Sequence, residues 1–166
     1  MSCKRALSFI AVATAFEGLR AGIGLLRLVL DLPARGLLGA SAYADFFRAT
    51  DLTSRGFALY LTYGFGGAVM TALAYAAARR AGLPTAARRL IATSVVASIA
   101  ILVMTTQAVP LGLSVRTETN PVALNQIFNR FELWTVLRLC CGIASFLCMI
   151  TALTIVATSA TRPQPQ

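Results

Sequence analysis

The chain has 166 residues, of which 57% are hydrophobic, and a formal net charge of +9. Soluble domains are typically about 45–50% apolar, so this composition argues against a soluble domain and favours a membrane protein. The positive charge does not indicate nucleic-acid binding, because it is concentrated in short segments that flank apolar runs.

The first apolar run, residues 6–30, is a predicted membrane span that contains charged residues. Spacings of three or four, bridged by Gly24, place them on one stripe of a helix: Glu17, Arg20, Arg27 and Asp31. Counting from residue 6 puts Glu17 and Arg20 near mid-bilayer, where each costs about 2.5–3.5 kcal/mol on insertion scales. We therefore expect the stripe to face the interior of a helix bundle.

An alternative interpretation of the N-terminus is a secretory signal peptide. Lys4 and Arg5 precede a short apolar core, and residues 13–15 read Ala-Thr-Ala. The span and the signal peptide make different predictions for the first residues of the chain.

The loop after the first span is predicted to contain a short interfacial helix at about residues 35–50. Tyr43, Phe46 and Phe47 stand there among small residues, and aromatic side chains suit the headgroup zone. Pro33 can start such a segment but is expected to interrupt one continuous helix.

Two further spans, at residues 57–78 and 90–113, flank a loop that carries four arginines and no acid. Together with Lys4 and Arg5 this bias predicts an inner (plasma) membrane protein with both termini and this loop in the cytoplasm. Small residues, Ser94 and Ser98 among them, predict closely packed helices.

The last helix is predicted to begin at Pro121, because Asn120 suits the capping position before it. Continued to Thr158 it measures about 57 Å, against about 30 Å for the bilayer core, so its first turns should project beyond the membrane. Its membrane span is predicted at residues 133–158, with a flexible tail at residues 159–166. The fold class is thus all-α, a single domain over residues 1–166 formed by an antiparallel four-helix membrane bundle.

A polar pocket is predicted in the outer half of the bundle, where polar residues of three spans agree in height. Its candidate residues are Glu17, Arg20, Arg27, Gln107, Asn125, Asn129, Trp134 and Arg138. Intramembrane ionisable residues are candidates for function. The alternatives are structural ion pairs with Glu17, Asp31 or Glu132, and an ion or proton path.

The sequence gives no reason to expect a metal or cofactor. It contains no histidine, the commonest ligand of zinc and haem proteins. Its four cysteines form no C-x-x-C pair, and three of them lie in the last apolar run.

The segment NQIFNRFELWTVLRL, with Asn125, Asn129, Trp134 and Arg138, resembles the anthrone-oxygenase-like family of small four-helix membrane proteins. Some members of that family oxidise polycyclic phenolic anthrones without a known metal or flavin. The resemblance implies a cofactor-independent oxygenase, with Arg138 and Trp134 as candidate catalytic residues and Asn129 beside them in the pocket. The absence of histidine puts a histidine-assisted mechanism in doubt.

Two function classes follow. The first binds or oxidises a small hydrophobic molecule, phenolic or lipid-like, that arrives from the membrane lipids. The second is a non-catalytic accessory or structural subunit, docked to a larger membrane protein or to further copies of itself. A cavity walled by Arg20, Gln107, Trp134 and Arg138 would favour the first class, and tight pairing of those side chains without a void would favour the second.

Overall fold

The computed structural model describes residues 2–161, which are almost wholly helical and include no strand. The first helix, α1, passes through one π-helical turn into α2, and four further helices follow. Their bounds are α1 Cys3–Leu26, π turn Arg27–Asp31, α2 Leu32–Leu38, α3 Ala40–Thr50, α4 Ser54–Arg80, α5 Thr85–Ser114 and α6 Pro121–Thr161. The predicted all-α class is confirmed.

Four segments are long and apolar enough to cross a membrane, as expected of a multi-pass membrane protein: Cys3–Leu38, Ser54–Arg80, Thr85–Ser114 and Pro121–Ser159. α1 packs against α4 and α6, and α5 packs against the same two helices, which closes a ring of four. The start of α1, the α4–α5 loop and the end of α6 lie at one end of the bundle, called the terminal end below. The opposite end is the far end.

Pro33 stands at the start of α2, as the sequence predicts, and the regular α-helix is interrupted just before it by the π turn, although the chain stays helical. In the π turn the Leu32 N–H donates to the Arg27 carbonyl, which shifts the hydrogen-bond register just before the proline. Pro33 then lies in the first turn of α2, a position that proline tolerates. The helix ends at Gly39, whose φ of +79° favours glycine.

The terminal half of the bundle has a dry core of small and branched side chains, such as Ala74, Ile91 and Met149. Glycines let the helices approach closely: a Cβ at Gly18 would lie 3.0 Å from the Phe146 ring, and one at Gly66 would lie 2.9 Å from the Phe16 ring. The packing role predicted for small residues therefore holds for these two glycines.

The far end has its own cluster, in which α3 covers the first turns of α6. The Phe128 ring centroid lies 4.9 Å from that of Tyr43 and 5.8 Å from that of Phe47. Tyr43 and Phe47 are buried against α6, whereas Phe46 is exposed. The projecting turns of α6 present an apolar surface that these rings bury more completely than headgroups would.

The start of α6 is as predicted: Asn120 Oδ1 accepts a 2.9 Å hydrogen bond from the Val122 N–H, and Pro121 is the first residue. With 41 residues α6 is about 61 Å long, twice the bilayer core. The predicted flexible tail begins too early, because Ser159 is still helical and its hydroxyl donates to the Ile155 carbonyl. Residues 162–166 of that tail lie outside the described residues.

Candidate functional site

The predicted stripe of α1 meets α5 in a polar layer at the middle of the bundle. Glu17 is fully buried and Arg20 is 6% exposed, and the two side chains form an ion pair three residues apart. Ser98 of α5 joins both, accepting from Arg20 Nη2 at 2.8 Å and donating to Glu17 Oε1 at 3.2 Å. The layer therefore ties α1 to the helix diagonally opposite.

The Arg20 guanidinium is only partly satisfied. Its Nε and Nη1 atoms are buried and have no hydrogen-bond partner among residues 2–161. The backbone of α4 approaches closely here, since a Cβ at Gly67 would lie 3.4 Å from Glu17 Oε1 and 3.5 Å from Arg20 Nη1. A buried cation with two unpaired N–H groups is costly unless another acceptor is supplied.

A cavity of about 640 Å³ lies on the far side of this layer, among α1, α4, α5 and α6. Its volume is within the range of about 300–1,000 Å³ usual for small-molecule sites. Most of its wall is apolar. The wall includes six aromatic rings: Phe47, Phe57, Tyr60, Tyr63, Phe65 and Phe131.

The cavity opens sideways between α4 and α5. Phe65 on one helix and Val103 on the other both line it, and they are 55% and 60% exposed. The two helices pack against each other less closely than the other neighbouring pairs of the ring. Because both helices are candidate membrane spans, a lipid-soluble molecule would reach the cavity from the bilayer without crossing water.

Arg27, on the cavity wall nearer the far end than Arg20, has its charge balanced by carboxylates of the chain itself. Its guanidinium pairs with the Asp51 carboxylate and contacts the Tyr60 hydroxyl, and its Cζ lies 5.0 Å from the Tyr60 ring centroid. Asp31 Oδ2 lies 4.0 Å from its Nε. Arg27 therefore fixes the wall of the cavity and has little charge left for a ligand.

Arg138, on α6, has no such balance. Its Nε donates to the Trp134 carbonyl at 3.3 Å, and its Nη2 donates to Thr135 Oγ1 at 3.1 Å. Its Cζ lies 5.8 Å from the Phe131 ring centroid. Within the part of the chain that the structure describes, no carboxylate oxygen comes within 4.0 Å of its nitrogens. The cavity wall thus carries a positive charge without a counter-ion.

The structure brings three of the eight predicted pocket residues together, since Arg20, Arg27 and Arg138 line the cavity. Glu17 lies behind Arg20, in the polar layer. Four predicted residues are not part of the lining: Gln107, Asn125, Asn129 and Trp134. Gln107 and the two asparagines are exposed, and Asn129 accepts a hydrogen bond from Arg35 at the far end.

Asp51, Tyr60, Tyr63 and Ser98 were not among the predicted pocket residues. For Ser98 the sequence predicts only a packing role, and the structure places its hydroxyl at the ion pair. Tyr60 and Tyr63 are three residues apart in an otherwise uncharged span, a spacing that puts both rings on one face. Asp51 carried no such signal, because its partner Arg27 is 24 residues away in the chain.

Burial raises the pKa of the Asp51 carboxyl above its ordinary value of 3.8, outweighing the opposite effect of Arg27. The folded state then holds more protons than the unfolded state above that value, so stability should fall as pH rises through the raised pKa. Asp51→Asn, which still offers Arg27 an oxygen acceptor, should remove this slope. Melting temperatures measured in detergent from pH 3.8 to neutrality test it.

Asp45→Asn is the matched control for that series, because Asp45 is an exposed carboxylate of the same region that pairs with Arg48. The slope should persist in this variant. A stability difference between wild type and Asp51→Asn that climbs in favour of wild type as pH rises across the same window would contradict the assignment to Asp51.

No group of three His, Cys, Asp or Glu residues within the described residues 2–161 could hold a metal ion. The chain matches no model of a known protein family, no curated protein and no solved structure. The resemblance to the anthrone-oxygenase-like family therefore stays a prediction.

Proposed function

We propose that this membrane protein binds a small, mainly aromatic amphiphile that enters the cavity from the bilayer, with an anionic oxygen against Arg138. The observation that carries the proposal is the Arg138 guanidinium, which lines an apolar cavity and has no carboxylate partner among residues 2–161. A cation in such surroundings is stabilised by a paired anion, and in a membrane span an unpaired one is expensive.

The wall of the cavity suits an aromatic guest. Rings prefer edge-to-face or offset contacts with other rings, which add about 0.5–1.5 kcal/mol per pair to the burial of their area. Rings line the cavity on α3, α4 and α6, so a planar molecule would meet one on most sides. The lateral opening between α4 and α5 supplies a route for molecules dissolved in lipid.

The head of the guest would lie between two guanidinium groups. Arg138 supplies the uncompensated charge, and Arg20 supplies buried N–H groups that have no partner. Carboxylates and phenolates both accept such charge-assisted hydrogen bonds. If the protein oxidises phenols, as the resemblance implies, Arg138 would stabilise the phenolate, and binding is the first step of that activity.

The positive charge of the terminal end supports an orientation with that end in the cytoplasm. The far end, and with it the mouth of the cavity, would then lie in the outer leaflet of an inner (plasma) membrane. The cavity would collect its guest from that leaflet.

Filling the cavity is the test of binding. A Cβ at Gly64, which lines it, meets no atom within 4 Å, so Gly64→Leu should place a side chain in open space. We expect the affinity for anthracene carboxylate to fall at least about tenfold, since the leucine occupies the guest's volume. Energy transfer from Trp134, the only tryptophan, to anthracene measures binding in detergent.

Gly22→Leu is the matched control, because Gly22 is exposed on α1, has open space around it and does not line the cavity. Both variants should fold at least as well as wild type, since leucine favours helix over glycine by up to about 1 kcal/mol. Equal affinity in wild type and Gly64→Leu would refute binding in this cavity. Co-purification of a stoichiometric larger membrane protein, with no probe bound, would instead support the accessory-subunit alternative.

A further inference from the structure

A second cavity, of about 220 Å³, lies at the terminal end, between the last turns of α4 and the first turns of α5. Its lining residues are Tyr75, Arg79, Thr85, Arg88, Arg89 and Ala92. Three of the six are arginines, and none of the six lines the first cavity.

No carboxylate of the described residues 2–161 compensates the charge of this cavity. All six acidic residues of the sequence lie elsewhere, and none occurs between Asp51 and Glu118. Among residues 2–161, none of the three arginines forms an ion pair. Three guanidinium groups around one concavity repel one another unless an anion is shared between them.

Arg88 is held in part by a hydrogen bond of its guanidinium within α5. Its Nη2 donates to Thr85 Oγ1 at 3.1 Å, a bond between the first residue of α5 and the next turn. Its Nε is buried and has no hydrogen-bond partner in the described chain. The fixed guanidinium therefore has donor capacity that the protein itself leaves unused.

We propose that this cavity binds a phosphate group with net negative charge, as carried by an anionic lipid headgroup. The planar fork of arginine matches phosphate oxygens in a bidentate manner, which the point charge of lysine does not. The site lies where two candidate spans end, the depth at which lipid phosphates are found, and a half-buried Tyr75 lines it. Basic pockets between spans are suited to anionic lipid headgroups.

Native mass spectrometry of the detergent-purified chain tests this with three probes: phosphatidylglycerol, phosphatidylcholine and inorganic phosphate. We expect phosphatidylglycerol to bind about tenfold more tightly than phosphatidylcholine, and Arg88→Gln to abolish that preference. Arg80→Gln is the matched control, because Arg80 is an exposed neighbour of Arg79 that does not line the cavity. It should change the preference less than twofold.

The outcomes of this experiment distinguish a lipid headgroup from free phosphate and identify the results that would overturn the proposal. Displacement of phosphatidylglycerol by millimolar inorganic phosphate would show that the site takes free phosphate as well as a headgroup. Equal losses in Arg88→Gln and Arg80→Gln would show a diffuse positive surface and overturn the proposal, as would equal binding of the two lipids. Arg88→Lys, which keeps the charge but loses the fork, should retain only part of the preference, and the helical circular-dichroism signal reports that each variant is folded.

Discussion

Arg138→Gln should weaken the binding of anthracene carboxylate by about 10- to 100-fold and leave the binding of neutral anthracene methanol nearly unchanged. A hydrogen bond to a charged group is worth about 1.5–3 kcal/mol, which corresponds to that range of affinity. The two probes share the ring system and differ in charge. Because aromatic contacts are common to both, the ratio of their affinities isolates the contribution of the guanidinium.

The measurement is the transfer of excitation from Trp134 to the anthracene ring, with an unlabelled aromatic carboxylate as competitor to separate site binding from partition into the micelle. Arg130→Gln is the matched control. Arg130 is an exposed arginine of the same helix, two turns nearer the far end, and does not line the cavity. Its loss changes the net charge as Arg138→Gln does, so it should leave the ratio of affinities unchanged.

Equal losses for the two probes in Arg138→Gln would mean that the arginine shapes the cavity without pairing with the guest. If Arg138→Gln left unchanged both the affinity for anthracene carboxylate and the ratio of that affinity to the affinity for anthracene methanol, the proposed anion site would be refuted. If Arg130→Gln also abolished the preference for anthracene carboxylate over anthracene methanol, the preference would be due to the overall charge of the far end.

The spacing of the charged residues in α1 was enough to predict that they share one face of the helix, because that face is determined by positions within a single helix. Residues three or four apart meet on a helix wherever the helix is placed, so the Glu17–Arg20 pair follows from the sequence. The same logic gave the start of α6 from Asn120 and Pro121. Local rules thus predicted the elements and one half of the polar layer.

The pocket residues on the other helices were predicted from height alone, and height does not determine the face. On α6 the cavity is lined by four residues: Phe131, Thr135, Arg138 and Leu139. At about 100° per residue, Trp134 stands at the edge of that stripe and Asn129 stands more than about 100° away from its centre. Such rotations are decided by packing between helices, which the sequence of one helix does not contain.

The pairing of Arg27 with Asp51 and Tyr60 was also beyond local rules. These residues belong to the π turn, the end of α3 and the first turns of α4. They meet because α3 folds back over α6 and returns the chain to the bundle beside α1. Cross-element contacts of this kind depend on the path of the loop.

Glu17→Gln should lower the free energy of unfolding by about 3–5 kcal/mol, the largest stability effect that we expect of a single substitution here. It removes the negative charge that pairs with Arg20 and leaves a buried cation with only neutral acceptors, the Ser98 hydroxyl and the amide oxygen of the new side chain. Arg20→Gln should cost a similar amount. The double variant Glu17→Gln/Arg20→Gln should recover most of the loss, because neither charge is then left alone.

Unfolding in mild detergent by a graded denaturant measures the three variants, and the coupling free energy of the cycle is the quantity to compare. Thr62→Val is a suitable control, since Thr62 is an exposed threonine of α4 that bonds only within its own helix. If the two losses in the free energy of unfolding simply added in the double variant, a specific interaction between Glu17 and Arg20 would be contradicted.

Glu17→Gln also links stability to binding, because Arg20 belongs to both the polar layer and the wall of the cavity. Without Glu17 its charge is free, so an anionic guest would find a second counter-charge beside Arg138. Anthracene carboxylate should therefore raise the melting temperature of Glu17→Gln by more than it raises that of wild type, while anthracene methanol should not discriminate between them. An equal shift in both proteins would place the anion away from Arg20, and the polar layer would then be only a structural tie between α1 and α5.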